Sequence, residues 1–186
     1  MDGTPRHFEP QATCIPAERA APPAGGPGGA ARTLFPMPVD LADLSRFIGL
    51  DHGLAVVSVV RPDGSVASSL VNAGVLDHPV DGRPVIGFVA AGGARKLDHL
   101  RRDPRATLVW RAGWRWLGAS GAAELAGPDD AWAGLDPASG PALLRAVFVG
   151  AGGTHEDWDE FDQVMADERR TAVLVHPDRL FGNPAV

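Results

Sequence analysis

The chain has 186 residues, 45% of them hydrophobic, which suffices for one well-buried core and is too few for two ordinary domains. A formal net charge of -6 and a pI near 5.4 exclude the broad basic footprint of a general duplex nucleic-acid binder, so any anion site must be local. Cys14 is the only cysteine, so neither a disulfide framework nor a zinc cluster is expected within one chain.

Residues 1–33 are dominated by Pro, Ala and Gly, as in "PAERAAPPAGGPGGAAR", and hold too few large apolar side chains to offset the entropy of ordering. This arm is expected to be disordered, with residues 34–186 forming the folded domain. The first thirty residues lack the apolar run of a signal peptide, and no later stretch is long enough to span a bilayer. The expectation is a cytoplasmic protein without a membrane or nucleic-acid partner.

In "PVDLADLSRFIGL" the spacing of Leu41, Leu44 and Ile48 predicts a short amphipathic helix, with Pro38 and Asp40 suited to its first turn. "LAVVSVV", "RPDG" and "SVASSLVNAGVL" read as strand, turn and strand, because Pro-Asp-Gly supplies turn chemistry between β-branched runs. "DHPVDGR" is a loop, "PVIGFVA" a third strand, "RKLDHLRR" a short helix, "RATLVW" a fourth strand and "WRWLGASGAAEL" a fifth. Helices are expected near Pro141 to Val149 and Glu156 to Arg170, followed by a last strand, "TAVLVHP". Mostly antiparallel strands with short helical interruptions predict a small barrel with helices packed outside.

Lys96 is the only lysine among 17 cationic residues, and it follows Gly92, Gly93, Ala94 and Arg95. Two glycines let a backbone leave a strand and approach a ligand closely. A helix beginning near Arg95 presents free amides and the positive end of its dipole. A planar guanidinium beside a mobile ammonium suits a phosphate, whereas a solvated basic helix with Leu97 and Leu100 turned inward is the plain alternative. The glycine spacing and the missing Ser or Thr after Lys96 exclude a nucleotide P-loop.

Elsewhere, alternation puts Ser69 and Val71 on one strand face and Leu70 and Asn72 on the other. Ser69 and Asn72 can meet the polar edge of a planar ring or bond to backbone near Gly74. Trp114 and Trp116 are expected on one strand face, walling a planar ring or packing in a core or dimer contact, with Arg115 turned away. In "GTHEDWDEFD" His155 sits among acids, but Thr154 followed by Asp157 matches a helix-capping box better than a metal site. His52, His78, His99 and His176 show no paired ligand spacing, and no metal is expected. No nucleophile–base pair stands out and tyrosine is absent, so catalytic residues stay unassigned and any proton delivery falls to Arg115, a histidine or water.

The succession of hairpin, "SSLVNAGVL", "GFVAAGGARKLDHLRRDPRATLVW", "GWRWLGASGAAEL" and "RTAVLVHPDRLFG" resembles the pyridoxamine 5'-phosphate oxidase-like split β-barrel superfamily. Within it, "RKLDHLRRDPRATLVW" looks like the branch of oxidoreductases that use coenzyme F420, a deazaflavin. The resemblance implies a mainly β fold with flanking helices, a six-stranded antiparallel split barrel, and a homodimer with two cofactor sites at its interface. It places the cofactor phosphate at Ala94, Arg95 and Lys96, and the ring along Ser69, Leu70, Val71 and Asn72 and along Phe88, Val89 and Ala90. Relatives often carry Ser or Thr where this chain has Ala94. The implied activity is hydride transfer from the reduced deazaflavin to a conjugated small molecule, such as a biliverdin-like tetrapyrrole or an enone. FMN chemistry on the same fold, or a non-catalytic module binding flavin or haem, are the alternatives. Arg101, with Arg102 and Arg105, offers charge for the acidic tail that coenzyme F420 has and FMN lacks.

Overall fold

The computed structural model of the protein describes residues 39–130, 134 and 136–183; the predicted arm over residues 1–33, Pro38 and Cys14 lie outside them. Helix α1, Leu41–Ile48, starts at Asp40, which forms a capping box with Asp43, and it buries Leu44, Phe47 and Ile48. Strand β1 (Leu54–Val60) and strand β2 (Val66–Asp77) form the expected hairpin around Pro-Asp-Gly. Strand β3 is Pro84–Ala90, helix α2 Arg95–Arg102, strand β4 Arg105–Ala112 and strand β5 Arg115–Ala126. Helix α3 (Gly140–Gly150), helix α4 (Trp158–Asp167) and strand β6 (Thr171–Asn183) complete the chain. Among the described residues no helix is long and apolar enough to cross a membrane.

The six strands close into one antiparallel barrel in the order β1-β2-β3-β6-β5-β4. Alternation along each strand sends Val57, Phe88, Leu108, Leu117 and Val173 into a single core with Trp110. The sixth strand is longer than its apolar run because "DRLFG" continues pairing with β5 past a register shift at Ser120/Gly121.

β2 changes partner midway. Its residues Leu54-facing Asn72 back to Val66 pair with β1, whereas Ala73 to Asp77 pair with β3. The change is pinned at Ala73, whose N–H donates to the Gly53 carbonyl (2.8 Å) and whose carbonyl accepts from the Trp110 indole N–H (3.1 Å). Gly74, next along, has no room for a Cβ, because the Gly150 backbone of α3 occupies that space.

Three local expectations are corrected. Trp114 is not on a strand face: Ala112 pairs with Arg115, so Gly113 and Trp114 form a two-residue hairpin loop and Trp114 is 91% exposed. α4 starts after Asp157, whose carboxylate accepts from the Asp159 and Glu160 amides, and Thr154 is not the cap. Gly92 approaches protein rather than ligand: a Cβ there would lie 2.7 Å from the Arg169 Cβ, and its N–H donates to the Glu168 carbonyl (3.0 Å). Gly93 meets nothing within 4 Å and is required for its positive φ of 74°.

Candidate functional site

The partner change in β2 creates the site. Along residues 66–72 one edge of β2 is paired with β1 and no described strand lies opposite the other, so backbone N–H and C=O groups there face away from the sheet. After β3 the chain turns at Gly92 and Gly93 into α2, which packs against β1 and β5. A cleft of about 310 Å³ remains between α2 and the strands β1 and β2. Ser69, Arg95, Lys96, His99 and Arg61 line it above an apolar floor of Val57 and Val59.

The α2 end of this cleft carries amides and cations without partners among the described residues. Ala94 is the N-cap and offers no side-chain hydrogen bond. Among the described residues the N–H groups of Arg95 and Lys96 have no acceptor, and neither side chain takes part in an ion pair or hydrogen bond. Most other cations of the fold are already engaged: Arg145 with Asp162 (2.6 Å), Arg83 with Asp81 (2.6 Å), Arg169 with Asp129. Lys96 is half-buried, and burial lowers its pKa below the ordinary lysine value. An anion placed among these donors supplies the counter-charge that favours the ammonium.

Arg101 is a different case. It donates to both Asp130 oxygens (2.8 and 2.9 Å) and to Asp98 (2.8 Å), and these bonds, Asp130 first, raise its pKa. Arg105 is held by Asp103 (2.6 and 2.9 Å), and Arg102 donates to the Val60 carbonyl (3.3 Å). Of the three arginines expected to offer charge to an acidic tail, Arg101 and Arg105 are thus paired with Asp98, Asp130 and Asp103, and Arg102 has no ion pair among the described residues.

The remaining predicted residues divide by position. Val71, Phe88 and Ala90 are buried in the barrel core, so their side chains are closed to a ligand and only their backbone can meet one. Leu70 is 64% exposed on the outer face, directly across from Val56 of β1. Asn72 and Val89 line a second cleft of about 340 Å³ with His52, Phe148, Met165 and Arg170. There the Asn72 amide donates to the His52 carbonyl (2.8 Å), the backbone role that its sequence context had left open. Trp116 stands edge-on to Phe181, with centroids 6.0 Å apart. Arg115 lies over the Phe47 ring at 5.8 Å.

Among the lining residues not singled out as ligands from sequence, His99 and Arg61 bring basic groups. His99 follows Arg95 by one helical turn, so its place on the same face was readable. Arg61 needed the hairpin register: it donates to the Val66 carbonyl (2.8 Å) and the Ser65 hydroxyl (3.2 Å), which hold the guanidinium at the cleft. His155 is no ligand site, since its ring packs on Trp158 and Phe161 and its Nδ1 accepts from the Asp157 amide (3.2 Å).

No family model matches the chain. Its structure is similar to that of a conserved hypothetical protein from Mycobacterium tuberculosis, with a TM-score of 0.57 and 20% identity over 78% of this chain and 85% of that one. It is similar to a pyridoxamine 5'-phosphate oxidase-related, FMN binding protein from Nostoc punctiforme, with a TM-score of 0.50 and 17% identity over 75% and 79% of the two chains. A protein from Clostridium acetobutylicum related to general stress protein 26, of the pyridoxinephosphate oxidase family, gives a TM-score of 0.52 and 14% identity over 77% and 87%. At these identities the likeness is one of fold.

Proposed function

We propose, from the pyridoxamine 5'-phosphate oxidase-like split-barrel fold of this chain, that the cleft beside α2 holds the phosphate of a flavin-type cofactor and that the protein is an oxidoreductase. The first reading is coenzyme F420, with a conjugated small molecule such as a biliverdin-like tetrapyrrole or an enone as acceptor. One observation carries it: two free amides and two unneutralised cations at the start of α2 stand beside a strand edge with unpaired backbone.

Arg95 contributes a planar fork, Lys96 an ammonium, and the backbone at Arg95 and Lys96 its two amides, replacing the hydroxyl that Ala94 does not provide. The open edge of β2 over Ser69 to Asn72 offers backbone donors and acceptors to a planar polar ring, and Val89 and Ala90 offer theirs from β3. When bound, a reduced deazaflavin supplies a hydride to the acceptor, so the protein's own work is to bind, orient and exclude water. FMN is the second reading, favoured by the ion pairs of Arg101 and Arg105, which leave Arg102 as the one member of that group without an acidic partner among the described residues.

Mixing the protein with reduced coenzyme F420 and a panel of tetrapyrroles, quinones and enones is expected to give protein-dependent reoxidation with at least one acceptor. Tight binding without acceleration for any of them would turn the reading to a carrier or non-catalytic module.

Assembly belongs to the same proposal. Leu54, Val56, Val66 and Leu70 leave an apolar outer face on β1 and β2, and a two-fold pairing would cover it while building two equivalent sites. A dimer is expected by light scattering at micromolar concentration, and Leu70→Arg is expected to shift it to monomer. A wild-type monomer with cofactor bound would contradict the shared-site arrangement.

A further inference from the structure

We infer that His78, Glu124 and His176 form a binding site for a divalent transition-metal ion of the zinc class, separate from the cofactor cleft. The three residues come from three parts of the chain. His78 stands in the loop between β2 and β3, fixed by its N–H donating to the Arg83 carbonyl (2.8 Å) and its carbonyl accepting from Gly82 (2.9 Å). Glu124 lies on β5 and His176 on β6. Ala122 pairs with His176, so Glu124, two residues on, shares the face of the sheet that carries His176. The Gly121 position beside the register shift packs against the His176 backbone, where a side chain would not fit.

The geometry is that of a ligand set. His78 Nε2 and His176 Nε2 lie 3.2 and 3.3 Å from the same Glu124 oxygen, Oε2, and the three ligand atoms lie within 4.8 Å of one another. Ligand atoms on a tetrahedral ion with bonds of about 2.0–2.1 Å are separated by roughly 3.3–3.4 Å, so two of the three edges are already at that length. His176 Nε2 is buried and, despite its proximity to Glu124, forms no hydrogen bond of acceptable geometry. A neutral imidazole there directs a lone pair or an N–H into the cluster without a matching partner, and a metal ion matches the lone pair.

The other nitrogen of His78 supports the same state. His78 Nδ1 accepts from the Asp81 amide (3.3 Å) and lies 3.0 Å from an Asp81 carboxylate oxygen; with a metal ion on Nε2 the proton moves to Nδ1, where that carboxylate is in place to accept it. The two imidazole rings are 5.1 Å apart, close enough for one ion to lie within reach of both. Two imidazoles and one carboxylate suit zinc and its neighbours rather than magnesium or calcium. Three protein ligands leave a fourth position, and Glu124, 42% exposed, gives it access to solvent.

The test uses untagged full-length protein freed of metal by a chelator, then titrated with Zn²⁺ against a chromophoric competitor and with Co²⁺ by visible absorption. One saturable Zn²⁺ per chain is expected, with the intense d–d bands of a four-coordinate Co²⁺ site. Glu124→Gln and His176→Ala are each expected to weaken Zn²⁺ binding at least 100-fold, and Asp81→Asn by about 10- to 100-fold. Circular dichroism checks that each variant folds, and the isosteric Glu124→Gln decides if His176→Ala does not. Absence of a saturable site at one per chain, or unchanged affinity in folded Glu124→Gln, would overturn the assignment.

Discussion

Lys96→Ala is expected to weaken binding of the phosphate-bearing cofactor by about 10- to 100-fold, and Arg95→Ala by a similar factor. The magnitude is that of one charge-assisted hydrogen bond, about 1.5–3 kcal/mol. Lys96 is half-buried without an ion pair, so the bound anion is its counter-charge, and truncation removes the charge without leaving an orphaned acid behind. Lys96→Arg keeps the charge but not the compact ammonium and is expected to recover only part of the loss. Because burial holds the Lys96 pKa below the ordinary lysine value, affinity is expected to fall as the pH rises through that lowered pKa, and Lys96→Ala is expected to flatten this fall. Isothermal titration of each variant across pH, with circular dichroism to check folding, measures both. Full affinity in both alanine variants would remove the phosphate from this position.

Trp110→Ala is expected to destabilise the fold by about 3–5 kcal/mol, the range for deleting a buried aromatic side chain. Trp110 is 2% exposed in the centre of the barrel core, and its indole N–H satisfies the Ala73 carbonyl at the residue where β2 changes partner. Trp110→Phe retains most of the volume and leaves that carbonyl without its donor. It is expected to cost about 1–3 kcal/mol. Denaturant unfolding of the three proteins separates the packing contribution from the hydrogen bond; equal losses in both variants would assign the whole effect to the indole N–H.

The sequence made α2 legible to its ends, since an apolar pair at Leu97 and Leu100 and two preceding glycines are local signals. The β1–β2 hairpin was legible for the same reason. The partner change in β2 was not: nothing in "SSLVNAG" says that pairing passes from β1 to β3 after Asn72, because register is a property of strands that meet only in the folded chain. Nor was the pairing of Arg101 legible. Its neutralising Asp130 lies 29 residues away, and local charge patterning shows only the nearer Asp98. The His78–Glu124–His176 cluster was invisible because its spacing in sequence carries no ligand motif, and only the loop closure and the β5–β6 register bring the three together. Trp114 was assigned to a strand on hydrophobicity, whereas the two-residue turn opened by Gly113, at a φ of 64°, overrides that signal.

In the proposed function the free amides and cations at the start of α2 bind the phosphate of a flavin-type cofactor, coenzyme F420 first. Side-by-side titration of the purified apo-protein with coenzyme F420 and FMN, repeated with Lys96→Ala, tests it most directly. The expected result is saturable binding of coenzyme F420, tighter than that of FMN and weakened in the variant. Tight binding of FMN alone would reverse the choice of cofactor, and binding of neither would remove a flavin-type cofactor from this cleft.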